Sequence, residues 1–489
     1  MRKIVKLFNL KMFATGMALV CLSPVAMGQD TIKLSLSKAI EIALSENPTI
    51  KVAEKEIQRV NYSKKERLGG LLPNVSLSGT YQRALKKQKM YLDGFNMSNM
   101  FSPVLSYALE QTIIQNPPTP SVIEAQEAYE QAANSGDGSI EVGRDNTFTA
   151  GLNATLPIIA PSLWATLHLS EMELEMSQES ARSSKISLYN QVTKTYYSIL
   201  MMQDSYDVIK RSYENTLENA KIILNKYKQG TVSEYEWIRA DVQVKSAQSN
   251  LVSAESAVQI SKLQLKMLLG IDSYNEISVE GKLSDFESTM YGDVMKIDTT
   301  TMQNNSDLKQ FDIQKKQLEQ NEKIHKASLL PTLSTSINYQ YMSMANDDIT
   351  FSKDQVWFPT SSLGVTLAVP LFQGGAKYYK GKQIKLQLSE LNDQRENLKR
   401  SIETQVLSSI ENIKKSLKKI ESNKDGVRQA EKALNISQKM YEVGVATYLD
   451  LSNAELAYVN AGLTYNQSIY DYLSAKADLE KLLGKEFNK

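Results

Sequence analysis

From Ser361 onward, Leu363, Val365, Leu367 and Val369 alternate with Ser362, Gly364, Thr366 and Ala368. This period of two over about ten residues predicts a single strand. The alternation stops at Pro370-Leu371-Phe372-Gln373-Gly374-Gly375, and no further proline occurs before Gly444, with only Gly381 and Gly426 interrupting. That stretch predicts one helix of up to roughly 70 residues, about 100 Å long. Its apolar positions Ile410, Ile413, Leu417, Ile420, Val427, Leu434 and Tyr441 step by three, four or seven, the spacing of a coiled-coil seam. At Gly444 the pattern predicts a turn, then a returning helix from about Thr447 to Leu483 interrupted only by Gly462.

The same plan occurs earlier. Phe148, Ala150, Leu152, Ala154 and Leu156 alternate with polar or small residues, Pro157 and Pro161 follow, and Ser162 to Gln229 contains neither glycine nor proline. The seam expected there is Val192, Tyr196, Ile199, Tyr206, Tyr213, Leu217, Leu224 and Tyr227. Tyr227 and Tyr441, Gly230 and Gly444, and Leu268 and Leu482 are each 214 positions apart, so the chain is read as an internal duplication.

Each half also has a shorter opening. Leu34 to Leu44 is amphipathic and ends at Ser45-Glu46-Asn47-Pro48, where Asn47 suits a cap and Pro48 the first turn of the next helix. That helix is expected to stop at Gly69-Gly70, before Leu71-Leu72-Pro73 and a strand in which Val75, Leu77, Gly79 and Tyr81 share one face. The second half answers with a helix from about Asn305, Leu329-Leu330-Pro331, and a strand with Leu333, Thr335, Ile337, Tyr339 and Tyr341 on one face. The first half holds an insert of about 45 residues within Arg83 to Asn146, containing Asn116-Pro117-Pro118, a helical pattern from Val122 to Ala133, and Met90, Met97 and Met100, read as packing rather than metal ligands. A helix from about Ser233 to Leu269 follows the first turn, and Gly270 to Thr301 has weak periodicity. The expected division is therefore a signal peptide at 1–28, a first repeat at 29–270 with the insert at about 83–146, a central segment at 271–301, and a second repeat at 302–489.

The leader reading rests on Arg2, Lys3, Lys6 and Lys11, an apolar run from Met12 to Leu22, and the small residues around Ala26-Met27-Gly28. That core has about half the roughly 20 residues needed to span a bilayer. It contains the single cysteine, Cys21, so the mature chain is expected to have no disulfide. The formal charge of +1 becomes negative once four leader bases are removed, which gives no reason to expect nucleic acid as a partner. The two histidines, His168 and His325, sit in helical patterns without metal or nucleophile spacing, and no cofactor or catalytic residue is expected.

Four strands of about ten residues, each with an apolar and a polar or small face, match membrane-spanning β-strands. Four cannot close a barrel, and an open edge in lipid leaves backbone groups unsatisfied, so several copies are expected to share one barrel. Trp357-Phe358-Pro359 before the fourth strand, with Tyr81, Tyr339 and Tyr341, suits an interfacial aromatic girdle. The alternative is a periplasmic coiled-coil scaffold or adhesin with a soluble β-domain.

In this combination the chain resembles the TolC family of outer-membrane efflux channels. The resemblance is carried by Ala43-Leu44-Ser45-Glu46-Asn47-Pro48, the two Leu-Leu-Pro strand starts, Val369-Pro370-Leu371-Phe372-Gln373-Gly374-Gly375 and the duplicated Tyr-x-x-Gly turns. It implies an α+β membrane protein whose duplicated protomer contributes four transmembrane β-strands and long coiled-coil helices to a homotrimeric β-barrel and periplasmic α-barrel. It further implies a passive exit duct for efflux or type I secretion, with outer-membrane lipid, a periplasmic adaptor (membrane fusion) protein and an inner-membrane pump as partners.

The two turns, Tyr227 to Glu236 and Tyr441 to Asp450, are where function is expected to concentrate. Glycine ends one helix in a left-handed conformation, and Ser233 with Glu236, or Thr447 with Asp450, forms a capping box that starts the next. The resemblance implies that Tyr227, Gly230, Ser233, Gly444 and Thr447 lie on adaptor-docking tips. It also implies that Asp450 is a constriction carboxylate, with Asn453 at the next such position, and that Tyr441 and Glu236 help hold the tip shut. Ala446 stands where the family carries a base.

Overall fold

The computed structural model describes residues 32–91, 139–287, 290, 299–346 and 356–485. In chain order these form β1 (Ile32–Leu34), α1 (Leu36–Glu46), α2 (Pro48–Gly69), β2 (Asn74–Arg83), β3 (Gln88–Tyr91), β4 (Ser139–Val142), β5 (Asn146–Ile159), α3 (Pro161–Lys228) and α4 (Glu234–Leu269). Then come β6 (Ile277–Val279), two 3-10 turns, α5 (Ser306–Ala327), β7 (Thr332–Ala345), β8 (Phe358–Ala368), α6 (Ala376–Glu442) and α7 (Tyr448–Leu482). The expected leader with Cys21, together with Met97, Met100 and the helix expected at 122–133, lies outside the described residues. The chain divides into two compact units.

One unit comprises Gln58–Met176 and Ile313–Asn392. Its centre is an antiparallel sheet in the order β2-β5-β7-β8, so β2 and β8 are its edges. The register sets Val75, Ala154, Ile337 and Leu363 in one row and Leu77, Leu152, Tyr339 and Ser361 in the next on the same face, as alternation requires. Val75, Leu77, Ile337, Leu363, Val365 and Leu367 on that face are exposed, each by more than half of its surface. Pairing of β2 with β5 ends at Arg83↔Asn146, the two residues that bracket the insert, and β3 with β4 forms a separate ribbon within it.

Two boundaries differ from the sequence expectation, and proline explains both. β5 runs through Pro157 to Ile159, with a register shift against β7 there, and such an irregularity accommodates the missing N–H. The following helix accordingly starts at Pro161. β8 starts at Phe358, so Phe358 and Pro359 belong to the strand rather than preceding it; within the chain β8 is an edge strand, where proline is tolerated. Beside the sheet, α2 and α5 both bond to the start of α3. Arg67 donates to Ser170 and Glu173 at 3.0 Å each, and Gln320 donates to the Ala165 carbonyl at 2.7 Å.

The other unit comprises Met1–Ile57, Ser177–Asp312 and Asp393–Lys489. Its main core joins Val192, Ile199 and Leu200 of α3, Leu265 of α4, Ile413 of α6 and Tyr472 of α7. The weakly periodic segment after Gly270 adds β6, which pairs in parallel with β1, a three-residue strand too short to leave a sequence pattern. The Tyr196 hydroxyl lies between β1 and the end of β6, its single proton shared between the Glu280 carbonyl at 2.6 Å and the Leu34 carbonyl at 3.1 Å. On α6 the expected seam is buried at Ile413, Ile420, Leu434 and Tyr441. On α3 it holds through Val192, Tyr196 and Ile199, but beyond Met201 the buried positions are Thr216, Asn219 and Ile223, while Tyr206, Tyr213, Leu217, Leu224 and Tyr227 are only half-buried.

The duplication produces the same joint twice. Asn47 caps α2 by accepting from Thr49 N–H at 2.7 Å, while its amide donates to Leu268 O at the end of α4, also 2.7 Å. Asn305 caps α5 by accepting from Asp307 N–H at 2.9 Å and donates to Leu482 O at the end of α7 at 2.8 Å. Both asparagines are buried. Each returning helix ends on a left-handed glycine, Gly270 (φ 69°) or Gly484 (φ 68°), and a Cβ on either would strike the backbone just before the next helix. One side chain thus satisfies a donor at one helix start and an acceptor at another helix end, stacking the two shorter helices of each repeat end to end. The collision is deeper at Gly484, against the Asn304 carbonyl, than at Gly270, where the Glu46 oxygen would lie 2.8 Å away. Asn305→Ala is expected to cost about 1–3 kcal/mol, and Gly484→Ala to lower the helical melting midpoint more than Gly270→Ala. Equal midpoints for the two glycine variants, measured by far-ultraviolet circular dichroism, would contradict this ranking.

Candidate functional site: the paired hairpin tips

The turns joining α3 to α4 and α6 to α7 have one geometry. Thr231 N–H reaches back to Lys226 O at 2.9 Å and Gly230 N–H to Tyr227 O at 2.8 Å; Val445 N–H reaches Met440 O at 2.8 Å and Gly444 N–H Tyr441 O at 3.2 Å. Gly230 and Gly444 hold φ of 72° and 79°, as this helix stop demands. Ser233 Oγ accepts from Glu236 N–H at 3.3 Å. The second cap is a full box: Thr447 Oγ1 accepts from Asp450 N–H at 3.2 Å, and Asp450 Oδ2 accepts from Thr447 N–H at 3.0 Å. The box expected at Ser233 is therefore only half formed, because the Glu236 side chain does not return to Ser233.

The two tips share a core of Ile223, Ala240, Leu434, Tyr441, Tyr448 and Leu451. Tyr227 stacks on Trp237, centroids 5.8 Å apart and planes 10° from parallel, closing the first hairpin on itself. Lys226 binds one hairpin to the other. Its ammonium lies 4.7 Å from the centre of the Tyr441 ring and donates to Tyr441 O at 3.5 Å. Arg239 similarly sits 5.9 Å from the Tyr448 ring, which packs against Tyr441.

Asp450 and Asn453 are both exposed, one turn apart. The Thr447 hydroxyl and N–H hold the Asp450 carboxyl below the usual carboxylate range, so it carries charge at neutral pH. The Tyr441 hydroxyl is buried and has no hydrogen-bond partner. Glu236 is near enough for its charge to add to the upward shift that burial imposes on this phenol, but it makes no bond there. Burial, then the nearby Glu455 charge, pushes the Tyr448 phenol up to about 12. Glu455 itself is buried on α7 and accepts from Ser212 and Thr216 of α3 at 3.3 and 3.1 Å.

Lys226, Arg239 and Glu455 were not singled out by sequence reasoning. Glu455 could have been, since Tyr441, Tyr448 and Glu455 are seven residues apart and continue one seam. Lys226 has Met440 as its counterpart 214 positions on, so the duplication gave no signal for it. Among the described residues no group of three His, Cys, Asp or Glu side chains could hold a metal ion. His168 is exposed, 3.4 Å from Glu171, and His325 lies against Gly381.

The sequence profile of the Outer membrane efflux protein family matches residues 120–271 and 299–485. The chain belongs to that family. It is 23% identical over 340 residues to the outer membrane protein TolC of Vibrio cholerae, covering 69% of this chain and 76% of that one. It is also 23% identical over 352 residues to TolC of Escherichia coli K12, covering 69% and 70%. Among solved structures, the Campylobacter jejuni CmeC outer membrane channel superposes with a TM-score of 0.68 at 18% identity, covering 92% of this chain and 86% of that one. This outer membrane efflux protein is thus an outer-membrane exit duct of an efflux or type I secretion system, from a family of channels rather than enzymes.

Because a buried hydroxyl without a partner costs about 1–3 kcal/mol, Tyr441→Phe is expected to leave tip stability unchanged or to raise it. A lowered unfolding midpoint for the variant would show instead that the hydroxyl holds the hairpins together.

Proposed function

We propose that three copies of this chain form one passive conduit, with the four-stranded sheet as each copy's share of the barrel wall and the paired tips as the periplasmic end. The observation that carries this is the sheet: among the described residues its apolar face is uncovered and its two edges are unpaired. Because its four strands alternate in direction, β8 of one copy meets β2 of the next antiparallel, and the ladder closes without a break in pattern. α4 supports the same assembly, presenting Tyr235, Ile238, Val242, Ile260, Leu263 and Met267 exposed at helical spacing, a stripe that a neighbouring copy would cover. The number three is carried over from the family resemblance. A soluble β-domain on a scaffold is disfavoured by the same uncovered face.

On this reading, an adaptor protein docks on the tips through Tyr227, Gly230, Ser233, Gly444 and Thr447, and an inner-membrane pump supplies the energy. The chain itself performs no catalysis and holds no cofactor. Asp450 narrows the periplasmic end, with Asn453 beside it, and its carboxylates gathered on the symmetry axis attract cations. Lys226 on Tyr441, rather than a bond between Tyr441 and Glu236, holds the two hairpins of each copy together.

Asp450→Ala is expected to raise single-channel conductance and weaken block by divalent cations in planar bilayers; unchanged conductance and block would remove Asp450 from the constriction. Gly444→Pro is expected to leave trimers intact on gels while abolishing substrate export in cells. Export at the unmodified level would mean that the tips are not the docking surface.

A further inference from the structure

Glu455 is the one carboxylate in the described tip core that is buried, with 7% of its surface exposed, and it has no basic partner among its hydrogen bonds. Its counterpart 214 positions earlier, Asp241 on α4, is exposed. Both contacts of Glu455 fall on one oxygen, Oε1, and both come from hydroxyls of α3, Ser212 at 3.3 Å and Thr216 at 3.1 Å. Thr216 is itself buried. The titratable and charged groups around it are few. On its own helix the Tyr448 phenol lies two turns earlier; from α4, Arg239 covers the Tyr448 ring; from α6, Tyr441 packs against Tyr448; α3 contributes the two hydroxyls. Arg239 is directed at the ring rather than at the carboxylate.

We infer that Glu455 is a proton-dependent latch between α7 and α3, whose neutral carboxyl holds the second hairpin against the first and whose charged form releases it. The neutral acid can accept from one hydroxyl and donate its own proton, and it carries no charge into the apolar cluster. When the proton leaves to water, a carboxylate remains whose donors among the described residues are two hydroxyls, with no described cation bonded to it, and local opening of α7 toward water relieves that cost. The sign follows. Burial raises the folded-state value of this group, with the two hydroxyl bonds opposing in part. Between the ordinary carboxylate value and the raised one, the packed hairpin binds more protons than the opened one, so packing weakens as pH rises through that window. Each pH unit by which the packed value exceeds the free one corresponds to about a tenfold loss of protection against opening. Asp450, exposed and capped, titrates below this window and does not share the effect.

The local latch stands on the contacts themselves; only its consequence, a duct that opens more readily as pH rises, rests on the reading of the tips as the periplasmic gate. The test is amide hydrogen exchange of residues 448–456 in the detergent-solubilised full chain across about pH 4.5 to 8, corrected for intrinsic exchange rates. In the unmodified chain, protection is expected to fall as pH rises. In Glu455→Gln, which mimics the neutral acid, it should stay high and flat. In Thr216→Val, which removes a donor to the charged form, the fall should begin at the same pH but run deeper and extend to higher pH. Protection that is flat in the unmodified chain, or identical profiles for the unmodified chain and Glu455→Gln, would overturn the latch, and Thr216→Val supplies an independent reading if the glutamine variant fails to fold. Bilayer conductance of the same preparations separates the two claims: a chain that conducts at no pH sinks the duct reading, while the exchange profiles still decide Glu455.

Discussion

A backbone N–H or C=O exposed to hydrocarbon has no water to replace its missing partner, and each such group costs several kcal/mol. In this protein that constraint falls on β2 and β8, the two edges of a sheet whose apolar face is covered by nothing among the described residues. Four strands twist but cannot curl into a closed cylinder, so the structure of one copy is incomplete in the medium its family occupies. The even strand number and strict alternation of direction let identical copies supply the missing edges. The requirement for assembly is therefore written in hydrogen bonding, before any side chain at an interface is considered.

The helical part answers a different demand. Its duplicated plan gives each repeat one helix of 68 or 67 residues and two shorter ones, and the shorter pair must be joined without leaving helix ends bare. Asn47 and Asn305 do this in the same way, each bonding at once to the start of one helix and the end of another, beside a glycine with no room for a side chain. Repetition of a buried, two-way polar joint at matched positions shows that the duplication is one of geometry as well as of sequence. It also shows where the repeats differ: the tips share backbone turns, yet Lys226 is answered by Met440 and the buried Glu455 by an exposed Asp241.

Much of this fold was legible in the sequence because its elements are long. Alternation over ten residues and heptads over sixty average out local noise, and strand faces, turn glycines and the Asn47 cap all follow from them. What escaped was short or depended on distant neighbours. β1 and β6 are three residues each and exist through their mutual pairing and Tyr196. The drift of the α3 seam onto Thr216, Asn219 and Ile223 departs from the spacing of the large apolar residues on which the heptad reading rests. At the candidate site the turns and caps were readable, whereas the Lys226 bridge, the unbonded Tyr441 hydroxyl and the burial of Glu455 arise from contacts between hairpins over 200 residues apart in the chain. Likewise Pro157 and Pro359 read as strand stops, but a bulge and an edge position let strands continue through them.

The most direct measurement follows from the chain's having a single cysteine, in the expected leader. Cysteines introduced in pairs along β2 and β8 of the full chain, oxidised in native membranes and run on denaturing gels, report whether the two edges meet between copies. Covalent dimers and a limiting covalent trimer, appearing only for pairs on matched register positions, are expected. Absence of any intermolecular bond, together with a purified chain that is monomeric and soluble in detergent-free buffer, would contradict the shared barrel.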